Sequence, residues 1–206
     1  AEFNEWYNRE HIDERVWMPG FHRARRYVAA DPEARVKYFA SYETTKVEDL
    51  ADPDYMARLA VQSEWSQKVM AGFTKFDRLT VSITVDETHG FTGWLGVTRF
   101  FPEASLMEKL RSLLADSLLP ELAGMPEMLG GCLAENDIEV SNTGLKAQGK
   151  PVPPGQTPEW VILLDGSTEA SVREANAQLA DALSKAGLPA SGLDQTAYSF
   201  LFGNNR

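Results

Sequence analysis

The chain states one arrangement twice. A helical stretch runs into Met18-Pro19-Gly20 and then a strand, and a second helical stretch runs into Met125-Pro126-Glu127 and then a strand. Aligning the two corners keeps a constant offset through the preceding helix and the following strand. Hydrophobic periodicity predicts a helix over 2–17, strands over 21–29 and 36–44, helical pieces over 53–60 and 63–72, and a strand over 78–86. In that last strand Leu79, Val81, Ile83 and Val85 alternate with Thr80, Ser82 and Thr84, which marks one buried face. Asp52-Pro53 is a cap followed by proline at the first helical position. After a connector over 87–93 the order repeats: strand 94–101, helix 103–119, strand 127–135, a polar loop over 141–158, strand 160–165, helix 169–186 and strand 197–203.

Each half therefore reads as a split βαβ unit, β-α-β-β-α-β. The expected fold class is α+β, two tandem ferredoxin-like modules over 1–90 and 91–206, with antiparallel sheets forming a barrel. The first half shows no opening strand, which is central in that topology. Either residues precede Ala1 or the first half is three-stranded.

Composition bounds the function. The net charge is −10, from 20 basic and 30 acidic residues, which argues against a nucleic-acid partner or an anionic membrane surface. No apolar run reaches the roughly 18 to 20 residues of a membrane span. Cys132 is the one cysteine, so no intrachain disulfide and no cysteine-based metal site can form, which fits a cytoplasmic location. The expected partner is a small-molecule substrate, and a homodimer is the default assembly.

The stretch WYNREHIDERVWMPGF (6–21) carries the candidate chemistry. On a helical wheel Phe3, Tyr7, His11, Glu14 and Met18 fall on one side, with Trp6, Glu10 and Trp17 beside them. Tyr7 and His11 are four apart and can touch, and Glu14, three beyond His11, is placed to fix its tautomer. A neutral imidazole suits proton abstraction. The bland alternatives stand beside this. His11 is equally a satisfied, partly buried histidine, Glu10 and Glu14 pair with nearby arginines such as Arg15, and Trp6 and Trp17 are core. In RARRY (23–27) Arg23, Arg25 and Tyr27 share one strand face and Arg26 takes the other. Arg25 is a candidate clamp for a carboxylate or phenolate, and Tyr38 and Tyr42 share a face that suits a cavity wall. His22 and His89 are scattered, and no HxxxH, CxxC, Gly-rich or Walker motif occurs, so neither metal nor cofactor is indicated.

EFNEWYNREH, MPGF and RARRYV, over roughly residues 2–45, resemble the EthD-like branch of the dimeric α+β barrel superfamily. That superfamily holds isomerases, cyclases, dehydratases, cofactor-free monooxygenases and haem enzymes. In several cofactor-free members a first-helix histidine just before a Pro-Gly corner acts on substrate, and His11 is similar in placement. The strand tyrosine that assists in muconolactone-type isomerases aligns with Ala24. In the second half His11 falls on Leu118 and Tyr7 on Leu114, so that half reads as structural. The resemblance implies a cofactor-independent isomerase, cyclase, dehydratase or other lyase acting on an apolar aromatic or carbonyl compound. His11 would be the base, with Tyr7 and Glu14 assisting and Trp6, Arg25, Tyr38 and Tyr42 binding substrate. The rivals are a cofactor-free monooxygenase, a non-catalytic binding or assembly module, and a haem protein.

Overall fold

The computed structural model describes residues 2–147, 149, 151–189 and 192–206. Its first helix, α1, joins α-helical Glu2–Trp6, a π-helical turn Tyr7–His11 and α-helical Ile12–Val16 without a break. There follow β1 (Phe21–Ala29), β2 (Tyr38–Thr44), a 3₁₀ turn Val47–Ala51, α2 (Pro53–Ala60), α3 (Glu64–Met70) and β3 (Val81–Asp86). The rest comprises β4 (Trp94–Phe100), the helix α4, β5 (Met128–Asn136), α5 (Ile138–Ala147), β6 (Trp160–Gly166), α6 (Glu169–Ala186) and β7 (Asp194–Asn205). Within α4, Met107–Leu113 is α-helical, Leu114–Leu118 is a π-helical turn and Leu119–Ala123 is α-helical.

All seven strands join one antiparallel sheet in the order β2-β1-β7-β4-β6-β5-β3. A single apolar cluster draws on every strand, including Tyr27, Phe39, Val81, Leu95, Ala134, Val161 and Tyr198. Strands at opposite ends of a sheet share a core only when the sheet curls around it, so this is the inside of a half-barrel. The helices lie outside. α4 and α6 bury Leu110, Leu114, Leu118, Val172, Leu179 and Leu183 with Leu133, Trp160 and Ile162 of the sheet. α1 buries Ile12 and Val16 on Ala24, with Tyr7, Tyr42 and Phe202 packed alongside.

β7 joins the β1–β2 pair to the four strands of the other side of the sheet. Its first part pairs with β4 and its last part with β1. The register shifts where Arg26 faces Phe202 and Tyr27 faces Phe200, leaving Leu201 as a bulge. An extra residue reverses the side-chain alternation. Phe200 therefore packs inside the curl and Phe202 outside, under α1.

The repeat seen in the sequence recurs in three dimensions. β1 and β5 begin at Phe21 and Met128 and end at Ala29 and Asn136, each pair 107 residues apart. The π turns, Tyr7–His11 and Leu114–Leu118, keep that offset, as do Ile12–Val16 and Leu119–Ala123. The corners also match, for Gly20 (φ 83°) and Glu127 (φ 64°) both take the left-handed conformation. At Gly20 an added Cβ would sit 2.6 Å from Asp49 Oδ2, so a larger residue would have to displace the Asp49 side chain as well as adopt a conformation that glycine takes most easily.

Two expectations change. The supposed loop over 141–158 begins as a helix, α5, capped by Asp137 Oδ1 accepting from Val140 N at 2.9 Å; Gln148 and Lys150 lie outside the described residues. The helix predicted over 103–119 continues to Ala123 despite Pro120. Proline in a helix clashes with the carbonyl four residues earlier, and the π turn just before it gives the backbone room.

Candidate active site

The π turn decides which side chains of α1 meet. Ile12 N–H bonds to Tyr7 O, five residues back, so positions five apart come into line. Trp6 and His11 consequently stack, with ring centroids 4.3 Å apart. Tyr7 presents its edge to His11 at 5.1 Å, and Tyr42 of β2 closes the other side at 6.2 Å. Phe3 packs on Tyr38 at 4.8 Å. His11, Tyr7, Trp6, Tyr38 and Tyr42 are thus brought together between α1 and the outer face of the sheet.

Two arginines enter the same space. The Arg26 guanidinium lies 4.0 Å from the Tyr7 ring centroid and donates to Asn8 Oδ1 at 2.7 Å and Asn4 Oδ1 at 2.9 Å. Arg15 is buried at 6% exposure, and its Nη1 has no hydrogen-bond partner among the described residues. Two further buried atoms of the cluster, His11 Nδ1 and the Tyr42 hydroxyl, also lack partners.

These surroundings set the ionisation. Burial, and then the charges of Arg15 and Arg26, push His11 down to about 3, so its imidazole is neutral at physiological pH. Burial raises Tyr7, against the opposing pull of Arg26, and raises Tyr42 well above the ordinary phenol range. Both tyrosines are neutral hydrogen-bonding groups there.

Glu14 does not reach His11. It pairs with Arg58 of α2 instead. Glu10 accepts from Ser63 at 2.5 Å and Ser66 at 3.2 Å, while Trp6 Nε1 donates to Ser66 Oγ at 3.0 Å. Arg25 projects to the other side of β1, into the curl, where it pairs with Glu43 at 3.1 Å and Asp165 at 3.3 Å. With Arg23, Asp86, His89 and Phe91 it lines a cleft of about 200 Å³. Strand alternation separates it from His11, and Arg26 occupies the place expected for Arg25. A second cleft, of about 590 Å³, lies around Arg35, Asp77, Arg99 and Glu159. His22 bonds Thr45 Oγ1 at 2.8 Å on the surface. Among the described residues no group of three His, Cys, Asp or Glu side chains is arranged to hold a metal ion, and no helix is long and apolar enough to cross a membrane.

Arg15 and Arg26 escaped the sequence reading, in which Arg15 was a surface ion-pair residue. The repeat contained the signal. At the 107-residue offset Tyr7, His11, Arg15 and Arg26 correspond to Leu114, Leu118, Leu122 and Leu133, which all belong to the apolar core under α4. Where packing alone is needed, this unit uses leucine four times.

No protein-family model matches the chain, and no curated protein matches it. Among solved structures it is similar to an anthrone oxidase-like protein, with TM-score 0.62 and 10% identity over 99% of this chain and 87% of that one. It is also similar to a candidate monooxygenase of Fusobacterium nucleatum (TM-score 0.54, 9% identity, 96% and 84% covered). A candidate monooxygenase of Lactobacillus acidophilus gives TM-score 0.53 at 8% identity, with 99% and 84% covered. The fold is of the α+β barrel kind. Identities this low speak to the fold alone.

Proposed function

We propose that the chain is a cofactor-independent enzyme whose active site is the His11 cluster, and that it oxygenates an electron-rich phenol or the keto tautomer of one. The observation that carries an active site there is the replacement of four core leucine positions by Tyr7, His11, Arg15 and Arg26. Buried polar groups without partners are costly, and a function accounts for the gathering of three of them, His11 Nδ1, Arg15 Nη1 and the Tyr42 hydroxyl, in this cluster.

Two things favour oxygenation over the isomerase or lyase reading. The similar solved structures are described as monooxygenase or anthrone oxidase-like proteins. The cluster also offers cationic and neutral hydrogen-bond donors around a weakly basic imidazole, which suits stabilising a substrate anion that itself reduces oxygen. For an anthrone, the active methylene gives up a proton, the anion reacts with O₂ at that carbon, and loss of water leaves the quinone. One anthrone and one O₂ give one anthraquinone and one water. Tyr42 and Arg15 face the developing oxyanion, and His11 Nδ1 accepts the proton.

The second reading, proton transfer without oxygen, keeps the same residues and is favoured by the free Nδ1 of the neutral His11. Oxygen uptake with anthrone, corrected for its spontaneous oxidation, separates them. Enzyme-dependent uptake matched by quinone formation supports oxygenation. Solvent deuterium exchange at the methylene under nitrogen, with no uptake in air, supports the isomerase or lyase. Neither activity across a panel of anthrones and phenols overturns both.

A further inference from the structure

We propose that the α1 site binds its ligand as an oxyanion, held by Arg15 and Arg26 and completed by the Tyr42 hydroxyl; this rests on reading the His11 cluster as the active site.

The buried arginines show why. Arg15, Arg25 and Arg26 are 6%, 6% and 1% exposed. Arg25 is paired with two carboxylates, Glu43 and Asp165. Among the described residues neither Arg15 nor Arg26 has a carboxylate within ion-pair distance, although Glu14, one residue before Arg15, is spent on Arg58. Arg26 is held by two amide oxygens and the Tyr7 face, so its hydrogen bonds are met but its charge is not cancelled. Arg15 has neither met hydrogen bonds at Nη1 nor a counter-charge. A cation buried without its counter-ion is among the costliest groups a fold can carry, and the corresponding positions in the second half are Leu122 and Leu133. A negatively charged oxygen cancels the excess charge and can accept from Arg15 Nη1 and the Tyr42 hydroxyl together. His11 Nδ1 then faces the ligand as well, and cancellation of the two guanidinium charges removes part of what depresses its basicity. The aromatic rings close over this point, so admission of a ligand requires them to move.

The oxyanion has two chemical sources, a carboxylate carried by the ligand or a phenolate. The probe for the phenolate is 4-nitrophenol, whose two ionisation states absorb differently. Titrated against the wild-type protein, its apparent pKa is expected to fall by about one unit, a preference for phenolate of about tenfold. Most of that preference is expected to vanish in Arg15→Gln and to survive in part in Arg15→Lys, with circular dichroism confirming that each variant folds. Benzoate is then added as competitor against its neutral isostere benzamide. Displacement by benzoate but not benzamide extends the site to carboxylates, and displacement by neither restricts it to phenolates; both keep an oxyanion site. No wild-type preference, equal displacement by benzamide, or a preference undiminished in Arg15→Gln overturns the proposal. Should Arg15→Gln not fold, the Arg15→Lys variant decides, since a preference unchanged by shortening the donor excludes Arg15 as anchor. Oxygen uptake with anthrone is a separate readout. If it fails while the phenolate preference stands, the reaction class falls and the oxyanion site remains.

Discussion

Replacing His11 with phenylalanine tests whether the imidazole is held neutral, because it alters how the fold responds to acid. In the unfolded chain a histidine titrates near its ordinary 6.5, whereas in the fold His11 is pushed down to about 3, by burial first and then by Arg15 and Arg26. Between these values the unfolded state binds the proton and the folded state does not. Stability contributed by the neutral ring is therefore fully present above pH 6.5 and is lost as pH falls toward 3. At pH 4.5 the loss amounts to about 2 to 3 kcal/mol, at about 1.4 kcal/mol per pH unit below 6.5. Phenylalanine retains an aromatic ring against Trp6 and removes the titration. Urea unfolding of wild type and His11→Phe at pH 7.5 and pH 4.5 gives four stabilities. Their double difference isolates His11 from all other titrating groups, and from any repacking that does not depend on pH. Wild type is expected to lose about 2 to 3 kcal/mol more than the variant on acidification. Equal losses would refute the buried neutral imidazole and the cationic surroundings said to enforce it.

Arg15→Met is expected to raise the thermal midpoint by several degrees, because it removes a buried charge that no carboxylate balances, a gain of about 1 to 3 kcal/mol; a lower midpoint by scanning calorimetry would count against an uncompensated cation. Asp165 is pushed up to about 6, chiefly by burial and against the pull of Arg25, so its folded carboxyl holds the proton that the unfolded chain releases near 3.8. As pH rises from about 4 to 6, wild type is accordingly expected to lose stability by a contribution absent from Asp165→Asn, in which Arg25 keeps Glu43; parallel pH curves in urea would contradict this. Burial pushes the Cys132 thiol up to about 12, so a disulfide reagent at pH 8 is expected to label native protein only as fast as it unfolds and to label denatured protein at once.

Much of the architecture was legible where local signals and packing agree. Helix 2–17, strand 21–29 and helix 53–60 follow from caps, the Met-Pro-Gly corner and periodicity, and they are observed as Glu2–Val16, Phe21–Ala29 and Pro53–Ala60. α5 was not legible, because IEVSNTGLKA mixes β-branched residues, asparagine and glycine, a poor helix former that holds through the Asp137 cap and packing on Val47–Ala51. At the candidate site the sequence brought Tyr7, His11, Tyr38 and Tyr42 to one place but gave Arg25 the wrong side. The alternation within RARRY was readable; which face met α1 was a tertiary fact, set by the barrel's curl. The burial of Arg15 was hidden for the opposite reason. An arginine beside two glutamates reads as a surface ion pair, and only its correspondence with the buried Leu122 reveals a core position.

The same correspondence separates scaffold from chemistry. A π turn in the helix of a candidate active site invites a functional explanation, since such turns concentrate at functional sites. Here the turn also occurs at Leu114–Leu118, among leucines with no polar task, so it belongs to the helix–strand unit itself. What distinguishes the first half is the use made of the alignment the turn provides. It stacks Trp6 on His11, and in doing so it removes the ring from water and leaves Nδ1 without a partner. A ring so placed is a poor base while two guanidinium charges stand beside it, and a better one once an oxyanion cancels them. On the proposed reading ligand charge and base strength are coupled through Arg15 and Arg26, so a neutral isostere of the ligand, which cancels no charge, binds less tightly and leaves the base weak.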